Sequence, residues 1–551
     1  MGTKWIKRFM LPAAAMLMLA GCNFSDSGDG KSSEGSGGSG SEGDGSKAQT
    51  IVLSEGSDIP TMDSTKAHDS IAFNVLNNIN EGLYRQNESN QVELAGAEKH
   101  DKNDDETVHT FTLREQNWSN GDPVTAHDYE YAWKRVMREA GPYNYMLVTA
   151  GIKNAEKIME EEADADELGI KAVDDQTLEV TLEAPNPLFE TLLAFATFLP
   201  QNEKFVEEQG DQYALEADNI LSNGPFKFTA WQQEQGWTLE KNEDYWDADT
   251  VKLDKVEFIV IKDAQSGANL YETDKVDRVK LTSSLVDQYQ DNDGFTNEKA
   301  SGTVFLRFNH NNEELKNVNI RRAITMAIDR EGLTDVILKD GSVPLYGAVP
   351  EGFYKSPEDV DFRELNGDIN KGTPEEAKEF WEKGLEETGK DGLTVSINMA
   401  DTDEMKKVGE YLQAQLEDNL PGFKLELKAV PFAQRLEIEK AIEYDLSLST
   451  WGPDYADPMT YLDMWVDGSS ANRMDYHNPK LDELVADART DTDLSHRYKT
   501  LLDIEKVLLE EDAAIAPLYQ RGNSYLTRPD IKNLIIHPAG ADISLKWTSV
   551  E

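Results

Sequence analysis

The sequence predicts an α/β protein of several domains, on three observations. Its 551 residues exceed what one core holds and suggest roughly three domains. Two stretches of the first half each read strand, turn, helix. Residues 393–451 read strand, helix, strand, helix, strand, a run that requires parallel strands joined by right-handed crossovers.

Taken in order, "AQTIVLSEGSDIPTMDSTKAHDSIAFNVLNNINEGLYR" gives a strand, a polar loop and a helix with Ile71, Val75, Leu76 and Ile79 at helical spacing. "VHTFTLREQNWSNGDPVTAHDYEYAWKRVM" gives an alternating strand, an "SNGDP" turn and a helix opened by Thr125. "DDQTLEVTLEAPNPLFETLLAF" repeats strand, Pro-rich turn and apolar helix, and "SNGPFKFTAWQQEQGWTLEKN" reads as a β-hairpin. The first half is therefore mixed α+β.

In the second half "LTVSINM" is a strand, "EMKKVGEYLQAQLEDN" a helix with Val408, Leu412 and Leu416 on one face, and "FKLELKAV" a strand. "AQRLEIEKAIEY" is the next helix and "DLSLSTW" the third strand. Ligands of such sheets sit outside the carboxyl ends of the strands, which is where Trp451 and Asp454 of "LSLSTWGPDYADPMTYL" fall.

Little in the chain suggests catalysis. The single cysteine is Cys22, and the eight histidines are scattered with no H-E-x-x-H pair. There is no nucleophile elbow, Walker loop or dinucleotide fingerprint in the folded body. "DQYQDNDGF" approaches a calcium loop, but Tyr289 stands where the first aspartate belongs, so it reads as a turn. Aspartate and glutamate are so abundant that no pair singles out a reaction. The expectation is a protein with no catalytic residues, no metal and no cofactor.

With 54 Lys+Arg against 104 Asp+Glu the net charge is −50, which repels nucleic acid and anionic lipid surfaces. Spread over a chain that is 39% hydrophobic, this acid reads as a heavily hydrated surface on a globular body, suited to a salty or alkaline medium. The midpoint of thermal unfolding is accordingly expected to rise from low to molar salt as screening relieves repulsion; a flat or falling midpoint would contradict this.

The N-terminus "MGTKWIKRFMLPAAAMLMLAGC" has a basic start and an apolar run too short for a dedicated membrane span, so residues 1–22 read as a secretory signal. Leu19-Ala20-Gly21-Cys22 resembles the bacterial lipoprotein box, which makes Cys22 the lipidated N-terminus of the mature chain. N-myristoylation fails because Ile6 stands where Ser or Thr is required. Residues 23–48 form a Gly/Ser/acidic tether whose glycines are spacers rather than a phosphate loop. A lipid anchor and a leash place the body just outside the membrane, within reach of something embedded there.

Five motifs in order, "IPTMDSTKAHDSIAFNVLNNINEGLYR", "HTFTLREQNWSNGDPVTAHDYEYAWKRVM", "SNGPFKFTAW", "NVNIRRAITMAIDREGL" and "DLSLSTWGPDYADPMTYLDMW", resemble one family over nearly the whole mature chain. It is the extracytoplasmic solute-binding proteins of the oligopeptide/dipeptide class, receptors of ABC importers. The resemblance implies a two-lobed periplasmic-binding-protein-like fold with an extra inserted α+β domain and two hinge strands, "TVFLRFNHNN" and "APLYQRGNSYLT". Domain I would comprise 49–90, 210–304 and 521–551, domain II 91–209 and domain III 305–520. The lobes would close over ligand and present the closed state to an ABC permease. A monomer, a peptide ligand and no nucleic-acid partner are implied. On the same fold the solute could instead be a signalling peptide, an oligosaccharide or a nickel chelate. Outside this class, a secreted hydrolase is disfavoured by the missing motifs.

In oligopeptide members a Trp-x-x-Asp at the strand exit holds the peptide N-terminus, and here it is Trp451, Gly452, Pro453, Asp454. Asp454 would pair with the α-ammonium, which stays largely protonated below a pKa of about 8. Extended peptide would share main-chain hydrogen bonds with Ser449, Thr450 and Trp451 and with the loop at Ala67, His68 and Ser70. Hydrated pockets would then take any side chain. Tyr143, with Tyr145 near it, and Tyr519 by the hinge are further candidates for the cleft wall. Asp457, followed by Pro458, reads as a turn or cap residue. Members that grip the peptide carboxylate use basic side chains where this chain carries Met405, Glu439 and Leu448; Lys406, Lys407, Arg435 and Lys440 stand close by. No fixed short peptide length is therefore expected.

Overall fold

The computed structural model describes residues 48–551; the leader, Cys22 and nearly all of the tether lie outside the described residues. Alternating apolar residues set β1 (Thr50–Glu55), which buries Ile51 and Leu53. α1 (Ser70–Ile79) begins where the Asp69 carboxylate accepts the Ala72 amide at 3.0 Å, and it buries Val75, Leu76 and Ile79.

Four antiparallel strands follow, β2 (Ala97–Lys102), β3 (Val108–Leu113), β4 (Ile170–Asp174) and β5 (Thr177–Thr181), in the order β2-β3-β5-β4. Against them packs α2 (Ala126–Arg138), opened by a capping box in which the Thr125 amide donates to Asp128 at 2.7 Å. The short α3 (Tyr145–Thr149) comes next in the chain.

Apart from three two-stranded ladders, Tyr84–Gln86 with Val92–Leu94, Ile531–Lys532 with Ser549–Val550 and Ile535–Ile536 with Ile543–Ser544, the other strands among the described residues join one large sheet. β6 (Phe226–Gln232) and β7 (Gly236–Lys241) form the hairpin that the sequence predicts. β8 (Lys255–Val260) and β9 (Arg278–Leu281) both run parallel to β1. β10 (Phe295–Phe308) is followed, after a helical stretch, by β11 (Leu393–Ala400), α4 (Asp403–Asn419), β12 (Phe423–Val430), α5 (Phe432–Lys440) and β13 (Leu446–Trp451). α6 (Met459–Leu462), α7 (Leu494–Lys506) and β14 (Ile515–Thr527) complete the set. The sheet has eleven strands in the order β12-β11-β13-β10-β14-β9-β1-β8-β7-β6, with Val343–Pro344 paired to β14.

The run from β11 to β13 is parallel, as its βαβαβ pattern requires. β11 pairs with β12 from Leu393 opposite Phe423 to Ala400 opposite Val430, and with β13 through Ile397 and Asn398. Val408, Leu412 and Leu416, four residues apart, are each fully buried and share a core with Val395, Ile397 and Leu425. The carboxyl ends of all three strands open on the same edge.

β10 and β14 are the long central pair. They run antiparallel, with register shifts between Lys299 and Thr303 and between Val304 and Phe305, and they join the parallel run to the half built on β1, β8 and β9. They contain most of the two segments named above as hinge strands. No helix among the described residues is long and apolar enough to cross a membrane.

Candidate functional site

A cavity of about 500 Å³ opens where the carboxyl ends of these strands meet the start of α1. One wall is the loop after β13, residues 452–454; another is His68, Asp69, Ser70 and Phe73. Tyr143 and Phe195 close a third side, β9, β10 and β14 the floor, and residues 536–543 the last. The walls thus come from sites nearly 500 positions apart in the chain.

Asp454 is the best-placed group for ligand chemistry. Its side chain is half-buried, and Oδ2 accepts the Tyr145 hydroxyl at 2.7 Å. Its own amide donates to Thr460 Oγ1 at 3.2 Å, which fixes the loop. Burial raises the pKa of this carboxyl and the Tyr145 hydrogen bond only partly offsets that. Among the described residues no cation pairs with it. A carboxylate shielded from water, with one neutral donor and no counter-charge, is poised to take a cation from outside the protein. Tyr143 stacks edge-on against Phe73, ring centroids 5.3 Å apart, and its phenol is pushed up to about 12 by burial and then by Asp454 and Asp69.

The next two aspartates along the chain are already engaged. Asp457 receives both terminal nitrogens of Arg497 at 2.7 and 2.9 Å, with each side chain only 2% exposed, and Oδ1 also accepts the Met459 amide at 2.9 Å. It therefore shapes the turn into α6 as the sequence predicts, and it is also half of a buried ion pair, which the sequence did not reveal. Asp463 lies 3.6 Å from Arg489 beside a second cavity of about 290 Å³, and burial lifts its carboxyl to about 6.

The residues singled out from the sequence divide in two. His68, Ser70, Tyr143, Gly452 and Asp454 line the large cavity together. Trp451 turns away into a recess with Phe305, Tyr461, Met464 and Trp465, its indole nitrogen buried without an acceptor. Ser449 donates to Glu439 at 2.6 Å, Thr450 pairs with Val304 of β10, and Ala67 is buried behind the loop. The ladder from β13 to β11 stops at Ser447, so residues 449–451 are unpaired to β11 on their outer side. Tyr519 is fully buried in β14 and donates to Glu404 at 2.9 Å.

The basic neighbours of the parallel run do not converge on the cavity. Arg435 is held by Glu439 at 2.7 Å and donates to the Leu448 carbonyl, all within the protein. Met405 and Leu448 are core residues. The cations that do reach the cavity are Arg278, Lys280 and Lys299, and beside them stand the carboxylates of Glu55, Asp69, Glu298 and Asp542, all missed from sequence. Glu55 ends β1 and Lys280 lies near the end of β9, so the strand-end rule that pointed to Asp454 could have found them. Asp542 had no such signal. It is placed by Asn74 and Asn78 of α1, whose side chains bond the backbone of residues 542–545 at 2.6–3.3 Å.

Away from the cavity, Asp487, Asp491 and His496 are the one group of three or more His, Cys, Asp or Glu among the described residues with possible metal-ligand atoms all within 4.8 Å of one another. They lie at the surface, with His496 Nδ1 2.6 Å from Asp491.

The model of the bacterial extracellular solute-binding proteins, family 5 Middle, matches residues 91–473. The dipeptide-binding protein DppE of Bacillus subtilis is 34% identical over 501 residues, 91% of each chain. The solved structure of Listeria monocytogenes OppA bound to peptide is 42% identical, with a TM-score of 0.75 over 92% of this chain and 99% of that one. The substrate-binding domain of an oligopeptide ABC transporter from Bacillus anthracis is 41% identical, with a TM-score of 0.74 over 91% and 99%.

Proposed function

The chain belongs to the bacterial extracellular solute-binding proteins of family 5, and from that premise we propose that it is the extracytoplasmic receptor of an ABC-type importer and binds oligopeptides in its cleft. Its fold is the two-lobed α/β fold of that family, whose members bind solute for transport and are not enzymes. The observation that carries the peptide reading is Asp454, shielded, facing the cavity and lacking a cation. The α-ammonium of a peptide supplies that charge, and Tyr145 orients the carboxylate for it. Main-chain bonding along the outer edge of 449–451 and beside His68 and Ser70 would hold the next residues in an extended form. Lobes of 49–90 with 210–304 and 521–551, of 91–209 and of 305–520, turning about β10 and β14, account for the cleft. Lipid at Cys22 and the tether of 23–48 would keep this monomer beside its permease.

Native mass spectrometry of the protein as purified tests this reading. A ladder of bound masses spaced by amino-acid residues is expected, and a single non-peptide mass would overturn it. Tyr145→Phe is expected to weaken binding of free-amine peptides by about tenfold at neutral pH, by removing the donor that keeps Asp454 ionised. The same change should move the acid limb of binding to higher pH. Titration calorimetry across pH reads both effects.

A further inference from the structure

The cavity is electrically unbalanced. Five carboxylates reach it, Glu55, Asp69, Glu298, Asp454 and Asp542, against the cations Arg278, Lys280 and Lys299. Glu298 is answered by Arg278 through hydrogen bonds of 2.8 and 2.7 Å, and Lys299 leans to Glu351 at 2.7 Å. Lys280 alone remains against Asp69, Asp454, Glu55 and Asp542, and among the described residues it makes no ion pair.

We propose that Glu55 and Asp542 form a second cation site in the cavity, one that takes the lysine or arginine side chain of a bound peptide, so that the receptor prefers basic peptides. This rests on the peptide reading above.

Three observations support it. Glu55 is the last residue of β1 and lines the cavity wall; its carboxylate accepts the Gly56 amide and, among the described residues, forms no ion pair. β1 and β9 run parallel with Leu53 beside Arg278, so Glu55 lies alongside Lys280, yet the two form no ion pair. Second, burial and the neighbouring Asp542 push the Glu55 carboxyl up to about 7, against weaker opposing pulls from Arg278 and Lys280. Lys280 is itself pulled down by burial and by Arg521, so the protein's own cation compensates these acids poorly. Third, Asp454 lies in the loop after β13 and is bonded by Tyr145, whereas Glu55 ends β1 and Asp542 lies in the wall of residues 536–543, so the two acidic places belong to different walls of the cavity. A ligand with its α-ammonium at one and a basic side chain at the other would satisfy both.

The test is calorimetry in about 0.5 M salt, where the net charge of −50 is screened and only close pairs act. An alanine tetrapeptide is compared with the same peptide carrying one lysine at each position in turn. For one position, wild type is expected to bind the lysine peptide about tenfold or more tightly than the alanine peptide. That ratio should rise as pH goes from about 6 to 8, because Glu55 gains its charge over that range; Asp542, Arg278 and Lys280 are the groups facing it. In the Glu55→Gln/Asp542→Asn protein the ratio should fall below about threefold, and in Lys280→Met it should increase. A wild-type ratio near one, or a ratio unchanged in the double variant, overturns the second site while leaving the receptor intact. Absence of binding by every peptide would instead overturn the receptor reading, and this site with it.

Discussion

Replacing Asp454 by Asn is expected to weaken binding of free-amine peptides by roughly 30- to 1,000-fold, the ~2–4 kcal/mol cost of losing one partner of a shielded charge pair. The amide keeps the shape of the carboxylate and can still accept the Tyr145 hydroxyl, so the loop held by Thr460 should stand. The same peptides N-acetylated carry no ammonium, and for them the change should stay within about threefold. Equal losses for both ligands would make Asp454 a structural residue. The pH dependence has a definite sign. Because burial raises this carboxyl, it gains its proton as pH falls through a value above the ordinary aspartate range, and free-amine affinity should drop there first. N-acetylated ligands should show no such limb.

Arg497→Met is expected to destabilise the protein by about 3–5 kcal/mol, because it leaves Asp457 buried without the one cation that pairs with it among the described residues. Both partners are 2% exposed and joined by two hydrogen bonds, so water cannot replace the guanidinium. The companion Arg497→Met/Asp457→Leu, which removes both charges, should recover most of that stability, since the cost lies in the orphaned charge rather than in the missing pair. Urea midpoints of the single and double variants read this directly. A single-variant loss below about 1 kcal/mol would mean that the pair carries little. Affinity should fall with stability in the single variant, because Asp457 anchors the turn that follows the loop bearing Asp454.

What the sequence disclosed follows from what local pattern encodes. The helical spacing of Val408, Leu412 and Leu416 and the period of the flanking strands sufficed for the parallel run, and the strand-end rule then placed Asp454 on a cavity. The same local pattern put Trp451 beside Asp454, but Trp451 ends the strand while Asp454 lies beyond Gly452 and Pro453 in the loop, and the structure turns the indole toward Trp465. Arg497 lies 40 positions from Asp457, and no periodicity relates them. Asp542 and its neighbours were illegible for a similar reason. They follow the last strand of the large sheet, pair Ile535–Ile536 with Ile543–Ser544 in a small ladder of their own, and dock on α1 through the side-chain amides of Asn74, Asn77 and Asn78.

That docking bears on how the molecule comes into being. The large sheet is complete once β14 ends at Thr527, but residues 536–543, one side of the chamber, are made later and must return to a helix translated some 470 residues before. A nascent chain can therefore own its large sheet and still have no enclosed chamber. Proteolytic nicking beyond residue 527 should likewise yield a folded body that has lost its grip, separating folding from binding at a single peptide bond.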